Sequence, residues 1–118
     1  MKQALEVEIP GALDYLEAQL PDRGFCFGEP SIADVSLAAF FRTAAFARFR
    51  VDAGRWPRTA AFVERVLALP GFQRLAPLED AMLRTPIPQQ REMLRGLGAP
   101  IAAETLAAGA PRRGLMPI

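Results

Sequence analysis

The sequence predicts an all-α bundle, on three observations. Alanine and leucine dominate while valine, isoleucine and tyrosine are scarce, a balance that favours helix over strand. Apolar residues recur at steps of three and four along most of the chain, the period of a helix with one buried face. Proline, glycine and one compact capping motif stand where helices have to begin and end. With 118 residues, 51% of them apolar, the chain is long enough for one domain with a core of its own.

The first helix is expected over 3–20. Ile9, Leu13, Leu16 and Leu20 form its apolar stripe, with Asp14, Glu17 and Gln19 between them, and Pro10 is either a first-turn residue or a kink. Pro21-Asp22-Arg23-Gly24 ends it, and Phe25 and Phe27, either side of Cys26, are expected to pin the following loop to the core. The second helix, over 31–48, is announced by Ser31 and Asp34. A serine at the N-cap accepts a backbone N–H of the first turn, and the carboxylate three residues on reaches back to the serine N–H, a capping box with Asp in place of Glu or Gln. Residues 32 to 47 are apolar almost all round yet too few to span a membrane, so this helix is expected at the centre of the bundle. Its small residues Ala38, Ala39, Ala44 and Ala45 permit close neighbours.

Asp52 to Trp56 make a connection, and Pro57 suits the first turn of a third helix over 57–69 with Phe62, Val63, Val66, Leu67 and Leu69 inward. Pro70-Gly71 closes it, and a fourth helix follows over 72–83. Thr85-Pro86-Ile87-Pro88 then breaks the pattern, leaving one or two turns over 89–95 and an alanine-rich stretch to Ala108 before a frayed end. The division expected is a helical domain over 1–84 with four main helices and a tail over 85–118, partly helical and partly disordered.

Charge and chemistry exclude more than they specify. The net charge is +1, with a single lysine, Lys2, so no strong field draws nucleic acid or an anionic membrane. Arg42, Arg48, Arg50, Arg55 and Arg58 interleave with Phe46, Phe49 and Trp56, but Arg48 and Arg50 complement a helix C-terminus, and Asp52 and Glu64 stand ready as partners. Neither nucleic acid nor membrane is expected as a partner. The absence of histidine removes the imidazole base, any Ser-His-Asp triad and the commonest metal ligand, so no metal site is expected. One cysteine makes no internal disulfide, which fits a reducing, cytoplasmic setting.

Beyond the cap itself, Gly28-Glu29-Pro30-Ser31-Ile32-Ala33-Asp34 closely resembles the Gly-x-x-Ser/Thr-x-Ala-Asp segment of the C-terminal, all-helical domain of glutathione transferases. Trp56-Pro57, Phe62, Arg65 and Pro70 are similar to that family's aromatic-Pro, aromatic, Arg and Pro pattern, and the order and spacing agree over 9–80. The resemblance implies a two-domain, usually dimeric cytosolic enzyme of detoxification that adds glutathione to electrophiles or uses it in thiol-disulfide chemistry. It implies further that a thioredoxin-like N-terminal domain activates the thiol, and that this domain and the first helix of the helical domain lie outside these residues. On this basis the chain is expected to be a fragment that is inactive alone and binds no cofactor, glutathione being the parent enzyme's co-substrate. Its expected partners are the thioredoxin-like domain and a second copy, since apolar faces of the 3–20 and 31–48 helices would stand uncovered. The alternative is a non-catalytic protein-interaction module of the same fold.

No catalytic residue is expected in this chain. Ser31 and Asp34 are read as structural, satisfied by each other. Arg42 interrupts an apolar helix, so its guanidinium must be paired, reach the helix end or open onto a pocket; a substrate pocket is assigned to Arg42 and to Phe46, one turn on, although helical spacing equally suits Phe46 to the core. Cys26, flanked by aromatics, reads as an inert thiol, and Tyr15, beside the first helix's apolar stripe, as half exposed.

Overall fold

The computed structural model describes residues 3–101. They fall into two compact units, divided between Phe72 and Gln73. The helical stretch expected near Ala108 and the frayed end lie outside the described residues.

In the first unit a π-helical turn, Ala4–Glu8, runs into α1 (Ile9–Gln19). The single helix expected over 3–20 therefore changes pitch at Glu8. Pro10 has no N–H to give the carbonyl four residues back, and the chain meets it with a wider turn that leaves proline in the first turn of α1. α2 (Ile32–Phe46) and α3 (Pro57–Leu67) follow, and α4 (Pro70–Arg84) starts at the proline that closes α3.

α3 packs against both α1 and α2. One core cluster joins Leu13, Phe41, Trp56 and Val63; the other joins Leu20, Ala38, Phe62 and Val66, with Phe25, Cys26 and Phe72 against it. α3, not α2, is thus the element shared by the packing of this unit. α2 buries Asp34, Ala38 and Phe41 but turns Ile32, Val35, Phe40 and Phe46 outward, which corrects the expectation of a helix enclosed on all sides. An all-round apolar sequence states that every side can be buried, not which side these residues cover.

α2 ends in a Schellman motif. Arg48 N–H donates to the Ala45 carbonyl at 3.0 Å and Phe49 N–H to the Ala44 carbonyl at 3.1 Å. The position that glycine usually takes in this turn is held by Arg48, at φ 63°. Between α1 and α2 the loop makes its two sharpest reversals at Gly24, φ 70°, and Gly28, φ 89°, where a side chain would be strained.

The second unit contains α5 (Ile87–Gly96), which begins earlier than the turns expected over 89–95 because Ile87 and Pro88 occupy first-turn positions that need no N–H partner. Gln90 Nε2 donates to the carbonyls of Met82 at 3.0 Å and Thr85 at 3.1 Å, capping the C-terminal end of α4. Leu94 is its buried apolar residue. Among the described residues there is no strand, only an isolated bridge between Phe27 and Glu29, and no helix long and apolar enough to cross a membrane.

Candidate functional site

Two carboxylates organise the first unit. Asp34 is fully buried and accepts from Cys26 N–H at 2.8 Å, Ser31 N–H at 2.8 Å and Ser31 Oγ at 2.6 Å, while the Ser31 side chain takes the Asp34 backbone N–H. Burial pushes the Asp34 carboxyl up, but these donors outweigh it and lower its pKa from 3.8 to about 2. Ser31 and Asp34 are therefore spent on the start of α2, and the Cys26 contact fastens the preceding loop to the same carboxylate. That contact also bears on the thiol: burial, then the hydrogen bond to Asp34 and its negative charge, raise the Cys26 pKa above 9.0. The thiol stays protonated near neutrality and is a poor nucleophile.

The second carboxylate is Glu17, on α1. α3 opens on Trp56-Pro57 without a side chain of its own to cap it, and Glu17 does so from across the bundle. Its Oε1 accepts from Arg58 N–H at 2.8 Å, and its Oε2 from Thr59 N–H and Thr59 Oγ1, both at 2.8 Å. The cost of removing Glu17 from water is outweighed by these bonds and by the Arg58 charge, and its pKa is lowered. One turn earlier Asp14 accepts from Trp56 Nε1 at 2.6 Å, with Arg55 stacked over the indole at 4.3 Å. Sequence reasoning missed both contacts. The signal was present: a tryptophan bound for the core needs an acceptor, an uncapped helix needs a cap, and Asp14 and Glu17 sit three apart on α1.

Arg65 plays the reciprocal part. Its Nε donates to the Gly24 carbonyl at 2.8 Å and its Nη2 to that of Pro21 at 3.4 Å, holding the loop against α3, with Phe62 beneath the guanidinium at 5.6 Å.

Two concave surfaces of the first unit flank α2. The first is a hollow of about 190 Å³ between α2 and α3, floored by Phe41, Ala45, Val63 and Leu67 and edged by Arg42, Arg50 and Glu64. Arg42 also lies over the Phe46 ring, 5.0 Å from its centre. Phe46, 37% exposed, is outside the hollow's lining and forms a shelf for Arg42 rather than part of the core. The second is an open apolar cleft of about 500 Å³ between α1 and α2, with Ile9, Leu13 and Leu16 on one wall and Leu37, Phe40 and Ala44 on the other. No Cα of α1 comes within 8 Å of one in α2, so the two helices splay apart while both rest on α3. Tyr15 stands 66% exposed beside it, one turn from Ala12 in its lining. Among the described residues no group of three His, Cys, Asp or Glu is placed to hold a metal ion.

No curated protein and no solved structure matches the chain. A family model does, and it covers the elements just described: the cleft, the capped start of α2, and α3 as far as Arg65. With residues 2–65 matched, more than half its length, the chain belongs to the glutathione S-transferase C-terminal domain family.

Proposed function

We propose that this chain forms the helical part of a glutathione-dependent transferase, in which the hollow between α2 and α3 is one wall of the site for an apolar electrophile. Arg42 carries this reading: it is a guanidinium on an otherwise apolar helix, held at the lip of an apolar floor. An aryl electrophile laid on Phe41, Ala45 and Leu67 accumulates negative charge on its ring as a thiolate adds. A fixed cation at the edge favours that charged state over the neutral ground state. The thiolate is that of glutathione, and its activation is assigned to a thioredoxin-like domain outside this chain, since Cys26 is held protonated. A cytosolic setting follows from that chemistry.

Two measurements test the reading. Incubated with glutathione and a chlorodinitroarene, the 118-residue chain is expected to give the background rate; turnover above it would place the activating group here and overturn the division of labour. The single tryptophan, Trp56, shares its core cluster with Phe41 and Val63, so a dinitrophenyl-glutathione conjugate bound in the hollow is expected to quench its emission saturably. Quenching that is absent, or unchanged in Arg42→Ala, removes the wall.

The second reading, a protein-interaction module, is favoured by a different observation: the outward apolar face of α2.

A further inference from the structure

We infer that the hollow between α2 and α3 selects aryl electrophiles that carry an anionic group on the ring, a carboxylate in the simplest case, with Arg50 as the residue that receives it. This rests on the transferase reading and adds a substrate class to it.

Size limits the ligand to one ring. An apolar cavity of about 150 Å³ takes up a benzene molecule, so a hollow of about 190 Å³ floored by Phe41, Ala45, Val63 and Leu67 has room for a single substituted ring and little more. Its edge is not neutral: Arg42 and Arg50 stand there against one carboxylate, Glu64. Arg42 is engaged over the Phe46 ring. Among the described residues the side chains of Arg50 and Glu64 make no hydrogen bond or ion pair, with each other or with a neighbour, although they border the same hollow.

The chain holds Arg50 where it stands. The reversal at Arg48, φ 63°, brings residues 49–51 back along the hollow, and Phe49 and Val51, either side of Arg50, pack against the core cluster of Leu13, Phe41, Trp56 and Val63. Two inward neighbours fix the backbone and leave the guanidinium exposed at the edge. Ordering a surface arginine around an anion costs entropy, and here the backbone share of that cost falls on folding rather than on binding. A guanidinium receives a carboxylate through two parallel N–H groups. A ring resting on the floor carries its substituents to the edge, where a carboxylate exchanges water for Arg50 without entering the apolar part of the site, so no buried charge is left unpaired. Glu64 acts in the opposite sense and penalises an anion that approaches from the α3 side.

Two thiol-inert ligands that share one ring, meta-dinitrobenzene and its ring carboxylate dinitrobenzoate, provide the test. Each is titrated into the full 118-residue chain and followed by NMR at the backbone amides of Ala45, Arg50 and Glu64. Both are expected to shift these amides saturably, with the benzoate about fivefold tighter at low ionic strength, the upper end of what an exposed ion pair supplies. Molar salt is expected to erase the difference. Arg50→Gln, which removes an exposed side chain with no bond to lose, is expected to bring the two affinities together, and Glu64→Gln to widen the gap. Arg23→Gln, the same loss of charge on an exposed loop arginine outside the hollow's lining, is expected to leave the gap as it is. Saturable binding of both ligands with equal affinity overturns the inference and leaves the wall standing. So does a preference for the benzoate that survives Arg50→Gln or falls equally with Arg23→Gln. Dinitrobenzene that leaves those amides unmoved removes the transferase reading of the hollow, and the carboxylate class with it.

Discussion

The N-termini of α2 and α3 meet the same physical problem in opposite ways. Each exposes backbone N–H groups that need acceptors. α2 is capped from within, by Ser31 and by Asp34 three residues further on, whereas α3 is capped by Glu17, some 42 residues earlier on another helix. The local cap forms as soon as the helix does. The imported one exists only when α1 and α3 have docked, so it ties the start of a helix to the tertiary structure. Asp34 is fully buried and Glu17 only half-buried, which sets the scale of what each contributes.

The largest effect is expected at Asp34. Asp34→Ala leaves Cys26 N–H, Ser31 N–H and Ser31 Oγ without their acceptor in a buried site, at a cost of about 2–4 kcal/mol, and thermal unfolding is expected to fall by on the order of 10 °C. A melting temperature within 2 °C, say, of the parent's would show that the box is dispensable. The carboxylate also sets an acid limb. Its folded pKa, about 2, lies below the ordinary 3.8, so its stabilisation is fully present above pH 4 and is lost as the pH falls from there toward 2. Asp34→Asn is expected to flatten that part of a stability–pH curve.

At the imported cap, Glu17→Ala is expected to lower the melting temperature less than Asp34→Ala does, with the loss appearing as faster amide exchange at Arg58 and Thr59. Exchange unchanged at those two amides would sink the capping role. Smaller again is Trp56→Phe, which keeps the ring in the core but removes the hydrogen bond to Asp14, at about 1 kcal/mol by chemical denaturation. Smallest, and opposite in sign, is Arg48→Gly. Relieving the left-handed arginine that ends α2 is expected to stabilise the chain by roughly 0.5–1 kcal/mol, and a loss of stability instead would mean that the arginine side chain supplies more than the strain takes away.

This contrast also explains what could be read in advance. The capping box, the proline that opens α3 and the Pro70 boundary are signals contained in three or four consecutive residues, and the helices follow them closely, whereas Pro86-Ile87-Pro88, read as a break, opens α5. Asp14, Glu17 and Arg65 were visible only as charges on helices, because their partners are fixed by how α1, α3 and the loop pack. Arg42 was singled out as an interruption in an apolar run, and the structure gives that interruption a position: over Phe46, at the lip of the hollow. The outward face of α2 was hidden for a different reason, since periodicity vanishes in a helix that is apolar on every side.

Glu17 to Thr59 and Gly24 to Arg65 are two ties of nearly equal span, 42 and 41 residues, and both encircle α2. Bringing distant parts of a chain together carries an entropic cost that grows only with the logarithm of the span, and it is met in full by whichever tie forms first. The other then closes a loop whose ends are already neighbours, so it is nearly free. Cutting either tie alone should therefore slow folding only modestly, and cutting both should slow it by more than the product of the single effects. α2, whose residues lie between the ends of both ties, is expected to reach α3 in the same closure that forms them rather than as a separate layer.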